Sequence, residues 1–231
     1  MIAYIPIVTT ILAIIFFKHL FQHARSKPDA KHLFWWTVGI ATYGLGTFTE
    51  SINALAGWQL WNFKLWYIMG ALLGGIPLAQ GSVYLLLPKK FGNVTSTIIV
   101  VTISIAAVSV LLSPVSIPTN FDQRLSGNVL SWQWVRYFSP FINLYAFIFL
   151  FGGALYSAFQ YRKAGNQKNR FLGNIFIAIG ALLPGIGGSF TRFGYVEVLY
   201  VTELLGLLAM YQGYIIIKND RSHSIYQVQN I

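Results

Sequence analysis

The sequence contains no cysteine. Disulfides, thiolate metal sites, iron–sulfur clusters and cysteine nucleophiles are therefore excluded. Charge is scarce as well. Asp, Glu, Lys and Arg make up 10% of the chain, against about 25% in an ordinary soluble domain. Histidine is limited to His19, His23, His32 and His223, all at or beyond the ends of apolar runs. No pair inside an apolar run can then ligate a haem b, and the His–carboxylate clusters of intramembrane zinc hydrolases are missing. The last apolar run has no Lys before Lys218, which excludes a retinal Schiff base. No glycine-rich loop ends in Lys-Ser or Lys-Thr, so there is no phosphate cradle. The expectation from these absences is a protein with no enzymatic activity, no cofactor and no metal.

What is present is apolar. Hydrophobic residues make up 55% of the 231 positions, and mean hydropathy is +0.59. Such a chain cannot cover a water-facing surface. It reads as an all-α, polytopic membrane protein. A span needs about 20 mostly apolar residues. Seven such runs are found, at about 2–21, 33–55, 64–87, 94–114, 137–160, 171–191 and 195–217. They form one seven-helix transmembrane domain over 1–217, followed by a short tail over 218–231. No basic stretch precedes Ile2, so the first run is not read as a cleaved signal peptide.

The formal net charge of +10 orients these spans and does not point to nucleic acid. Lys18, Arg25, Lys27, Lys31, Lys89, Lys90, Arg162, Lys163, Lys168, Arg170, Lys218 and Arg221 fall on alternate connections. Only Lys64, Arg124, Arg136 and Arg192 fall on the others. By the positive-inside rule the N-terminus is outside and the C-terminus cytoplasmic. The partner this predicts is the lipid bilayer. Trp35, Trp36, Trp58, Trp61, Trp66, Trp132 and Trp134 lie near span ends, which suits an interfacial belt. The segment from Ser113 to Val135 is the one long loop, and its Pro114, Pro118 and Gly127 predict an irregular outer cap. Gly70 with Gly74, and Gly153 with Ser157, have the small-xxx-small spacing that lets helices approach closely.

A weak internal repeat pairs spans 1–3 with 5–7. Phe21-Gln22 matches Phe159-Gln160, Lys31 and Phe34 match Lys168 and Phe171, and Gln80-Gly81 matches Gln212-Gly213. Span 4 would be the inverting linker of a 3+1+3 parallel repeat. This layout resembles that of SWEET transporters and microbial rhodopsins.

Ionisable groups inside a membrane are expensive and are functional candidates by default. Glu50 lies about 25 Å along span 2, and Glu203 about 12 Å into span 7, so the two share a similar depth in the predicted outer half. Thr47, Asn143, Arg136 and Arg192 lie in the same half. Together these residues predict an outward-opening polar pocket for an ion or small ligand. The alternative is that both glutamates only tie helix ends together. Helix breakers give a second pointer. Pro77 and Gln80 stand in span 3, Pro184 and Gly187 in span 6.

Phe34-Trp35-Trp36-Thr37-Val38-Gly39 with Tyr43-Gly44 and Glu50 resembles an uncharacterised family of bacterial seven-helix membrane proteins. So do Leu65-Trp66-Tyr67 with Gly70-Ala71-Leu72-Leu73, Gln80-Gly81 to Leu87-Pro88-Lys89-Lys90, and Gly173-Asn174 through Leu183-Pro184 to Gly187-Gly188. The resemblance spans nearly the whole chain. It implies a bacterial inner-membrane location and brings no activity with it. Three functions stay open: a small-solute or ion transporter, a subunit of a larger respiratory or photosynthetic membrane complex, and a seven-helix ligand sensor that signals through a partner.

Overall fold

The computed structural model describes residues 2–117, 124–165, 167–191 and 193–220. Among these, helices account for every long element, and the β-structure is one isolated bridge between Val115 and Leu130. Helices α1 (Ile5–Ser26) and α2 (Lys31–Ala56) form the first two spans. The third is composite: α3 (Leu60–Trp66), a π-helical segment (Tyr67–Leu72) and α4 (Ile76–Leu86). Helix α5 (Lys89–Leu112) is the fourth. The fifth is again composite: α6 (Phe138–Ala146), a π segment (Phe147–Gly152) and α7 (Gly153–Lys163). Helices α8 (Lys168–Thr191) and α9 (Val196–Lys218) complete the bundle.

Six of the seven spans are long and apolar enough to cross a membrane. Helix α2 differs from the expectation. Its 26 residues reach about 39 Å, long enough to span, but it is not apolar enough to qualify. The reason is where its polar residues point. Thr37, Thr42, Thr47, Thr49, Glu50 and Ser51 are all buried inside the bundle, where hydroxyl and carboxyl groups find partners that lipid cannot offer.

Adjacent spans pack in a closed ring. In order it runs α1, α2, the third span, the fifth, α8, α9 and back to α1, while α5 packs mainly on the third span from outside. One core cluster gathers Phe16, Leu20, Ile40, Tyr43, Leu78, Leu150 and Leu207 from several ring helices. A second gathers Phe63, Tyr67, Ile103 and Val110 with Val129, Leu130 and Val135. The loop after α5 is therefore a packed cap, as expected. Ser116 N–H donates to Val129 O and Ser131 N–H to Pro114 O, both at 2.9 Å. Pro118 lies outside the described residues.

Glycine sets the tightest contact, between α8 and α9. Gly173, Gly180 and Gly187 recur every seven residues on α8, facing Gly213, Gly206 and Leu199 in antiparallel register. A Cβ on Gly206 would stand 2.8 Å from Gly180 O, and one on Gly213 2.4 Å from Gly173 O. The backbones touch, which is how helices associate where lipid removes the hydrophobic drive. Of the pairs read from the sequence, Gly70 packs against Gly46 within the bundle. The spans paired by the sequence repeat differ in shape. The third span is broken, and its counterpart α9 runs unbroken.

The two predicted helix breaks fare differently. In the third span the break falls at Leu73–Gly75, just before Pro77, and Pro77 opens α4 in its first turn, where its missing N–H is harmless. In the sixth, Pro184 sits inside a continuous helix. Its ring lies 2.9 Å from where a Cβ on Gly206 would be, so the close glycine neighbour accommodates it. Gly187 is likewise a packing position, because its Cβ would collide with Thr202 Oγ1. The second irregular span is the fifth, at Phe147–Gly152, which the sequence did not signal.

Candidate functional site

Helix α2 runs from its basic start to Glu50 near its far end with one polar side facing inward, and the antiparallel α9 begins at that far end with Glu203 two turns along. The two carboxyl groups come close together inside the bundle. Glu50 is 2% exposed, and its Oε1 accepts from Trp66 Nε1 at 3.0 Å. Oε2 of Glu50 and Oε2 of Glu203 are buried with no donor among the described protein groups. An ionised carboxylate can only accept a hydrogen bond. A proton on one carboxyl would supply the missing donor.

A polar shell surrounds the pair. Tyr43 Oη donates to Glu203 O at 2.8 Å, fixing α9 against α2. Asn62, fully buried, donates from Nδ2 to Thr49 O at 2.8 Å and leaves its Oδ1 without a partner. Thr47 lies one turn from Glu50 but faces α1, where its hydroxyl meets Thr10 Oγ1 at 3.0 Å. Thr10 also approaches Ser51 Oγ at 3.4 Å.

The other sequence candidates do not join this group. Asn143 is exposed on the outer face of α6. Arg136 donates to Gln133 Oε1 at 2.7 Å and braces the cap. Arg192 lies outside the described residues. Arg124 instead links the cap to the start of α9, through Gly194 O at 2.5 Å and Glu197 at 3.8 Å. Gln80 anchors a separate cluster. It is fully buried, donating to Gly92 O at 2.8 Å and accepting from Tyr145 Oη at 2.6 Å, with Thr95 completing the set. That joins α4, α5 and α6 at the level of the two irregular segments.

The predicted outward-opening pocket is closed around Glu50. Two cavities lie elsewhere. One, of about 40 Å³, sits on the ring axis, walled by Phe16, Leu20, Ile40, Leu78, Leu150 and Met210. Every ring span contributes to its wall. Its wall is almost entirely apolar. On α9, Met210 lies seven residues beyond Glu203, about 10 Å. Past the cavity, Tyr211 Oη meets His19 Nδ1 at 2.6 Å and Tyr214 Oη meets His23 Nδ1 at 3.1 Å. The ring thus stacks a carboxyl pair, an apolar waist and a His–Tyr cluster. The other cavity is a groove between α1 and α2.

Sequence reasoning missed Trp66, Tyr43 and Asn62. Trp66 was indistinguishable from a belt anchor, since its indole prefers the interface anyway. Asn62, a lone amide among aromatics near a span start, was the one signal available. No group of three or more His, Asp or Glu suited to a metal occurs among the described residues. No family model matches this chain, and no curated protein matches it. The resemblance to bacterial seven-helix proteins rests on the quoted motifs alone, and the likeness to SWEET proteins and rhodopsins on layout alone. What the fold defines is the class: an integral membrane protein built as a helical bundle.

Proposed function

We infer that the protein is a non-enzymatic transporter of a small cation or amine, with the Glu50–Glu203 pair as its carrier group and a proton as the exchanged ion. One observation carries the reading: two carboxyls from different spans meet inside the bundle, each with a buried oxygen that has no donor among the described groups. In this reading the pair holds a proton, and releasing it leaves a negative charge in a buried place, which a cation can neutralise. The apolar waist on the same axis supports the reading, since an apolar constriction blocks ions until helices move. The sealed Glu50 then belongs to an occluded state. The broken third span supplies a hinge beside it. In this reading the N-terminus is outside and the C-terminus cytoplasmic, as the basic connections indicate, and the membrane is the bacterial inner membrane, as the resemblance implies.

The test is proton flux in proteoliposomes carrying an internal pH dye, driven by an outward potassium or alkylamine gradient. The wild type is expected to move protons against the cation. Glu50→Gln and Glu203→Gln keep the shape and remove a titrating group, and each is expected to lose the exchange. Wild-type flux in both variants overturns the reading.

A second reading, as a subunit of a larger membrane complex, has one observation in its favour. Asn143 stands exposed between exposed Phe141 and Leu144. An amide facing lipid is costly, and a partner helix would relieve it. Gentle extraction followed by native mass spectrometry separates the two, because a protein that carries no other subunit excludes the complex. A ligand sensor stays an alternative for the same buried pair. It predicts binding of the cation without flux.

A further inference from the structure

We propose that the groove between α1 and α2 is a binding site for an anionic phospholipid. The two helices touch closely at one level, where a Cβ on Gly44 would sit 3.0 Å from Ala13 Cβ. Towards the turn at residues 27–30 they part and leave a groove of about 420 Å³. Its floor is made of small residues, Ala24, Ala30 and Ala41. Its rims are aromatic: Phe17 and Phe21 from α1, stacked 5.6 Å apart, and Phe34 from α2, which is 59% exposed. Such a trough accepts a flexible acyl chain, which fills an apolar slot with no polar partner required.

The mouth carries the opposite chemistry. Arg25 and Lys27 both line it and both are exposed. The Arg25 guanidinium lies 5.8 Å over the Phe21 ring, which holds it at the rim. Asp29, the acidic residue of the same turn, is not among the walls. The groove therefore has an apolar body and a doubly cationic mouth at the end of the bundle where the basic connections gather. A lipid of matching form has acyl chains and a phosphate without a compensating cation. A zwitterionic lipid offers the same chains but brings its own positive charge to Arg25 and Lys27. Basic pockets between spans are a recognised way of holding anionic headgroups.

The test is native mass spectrometry of the full chain in detergent supplied with equal phosphatidylglycerol and phosphatidylcholine of the same chains. Preferential retention of phosphatidylglycerol is expected. Arg25→Gln with Lys27→Gln is expected to weaken that retention roughly thirtyfold, two charges at the usual worth of each. Ala41→Trp fills the floor without touching charge, and Ala24→Trp does so from the opposite wall. Each is expected to abolish retention, and either suffices if the other does not fold. Equal retention of both lipids overturns the proposal. So does wild-type retention in a folded Trp variant, which would leave only a surface charge patch. Displacement of the lipid by millimolar inorganic phosphate would point to that same patch and count against the groove.

Discussion

Helices α2 and α5 are opposite answers to the same solvent. Helix α5 is the most apolar span, with a mean hydropathy of 2.3, and only 28% of its apolar window is buried. Ile98, Val101, Ile105 and Val108 face outward. Helix α2 falls short of the apolarity of a span and buries a carboxyl, four threonines and a serine. In water the apolar helix would be the buried one. In lipid the order reverses, because hydrocarbon already satisfies Ile and Val, whereas hydroxyls and carboxyls must find protein partners. The partners of α2 are specific. The Thr42 hydroxyl, shared with Val38 O and Gly39 O of its own helix, reaches Leu73 O in the break at 3.2 Å, and Trp36 Nε1 donates to Leu78 O in the first turn of α4 at 3.1 Å. The polar helix thus ties itself to its neighbour in the break and just after it.

This contrast can be broken most severely at Glu50. Glu50→Leu strands Trp66 Nε1 and leaves the Glu203 carboxyl without its partner. A loss of about 3 kcal/mol is expected in a reversible unfolding titration in mixed micelles. Glu50→Gln keeps an acceptor for Trp66 and offers an amide to Glu203, so a loss under about 1 kcal/mol is expected. Equal losses from Leu and Gln would mean that charge, not hydrogen bonding, holds α2.

Gln80→Leu is next. It removes the hub between α4, α5 and α6 and leaves the Tyr145 hydroxyl unpaired, at an expected cost of about 2 kcal/mol. The near-ultraviolet circular dichroism should change with it, and the change should be absent when Gln80→Leu is made in a Tyr145→Phe background. Thr42→Val tests the link to the broken span alone. One neutral hydrogen bond is lost, so about 1 kcal/mol is expected, with faster amide exchange after Leu73. The smallest effect belongs to α5. Ile98→Ala or Val101→Ala trims a lipid-facing side chain, and thermal unfolding is expected to shift by less than about 0.5 kcal/mol. A loss as large as that of Thr42→Val would show that α5 meets another protein there.

The site was legible only in part. Glu50 and Glu203 stood out because a carboxyl in a span has no cheap explanation, and counting residues from the span ends put them at one depth. Depth does not give the azimuth. Asn143 and Thr47 share that depth too, yet Asn143 faces outward and Thr47 turns to Thr10 on α1. Pro77 and Pro184 looked equivalent as helix breakers. Whether proline interrupts a helix depended on neighbours: Pro77 had Gly74 and Gly75 before it, and Pro184 had Gly206 across from it. The π segment at Phe147–Gly152 left no trace in composition, since its six residues are ordinary span residues.

The sequence by itself determined that this is a membrane bundle, how many helical runs it has and which end carries the basic turns. Those properties follow from the transfer of each side chain between water and hydrocarbon, a quantity that residues possess one at a time. Tertiary structure decided which polar side of α2 meets α9, that the third and fifth spans are the irregular ones, and that α8 and α9 join along three levels of glycine contact. These depend on how helices rotate about their axes to satisfy one another's carbonyls and fill one another's grooves. That choice belongs to pairs of helices, and no single run of residues contains it.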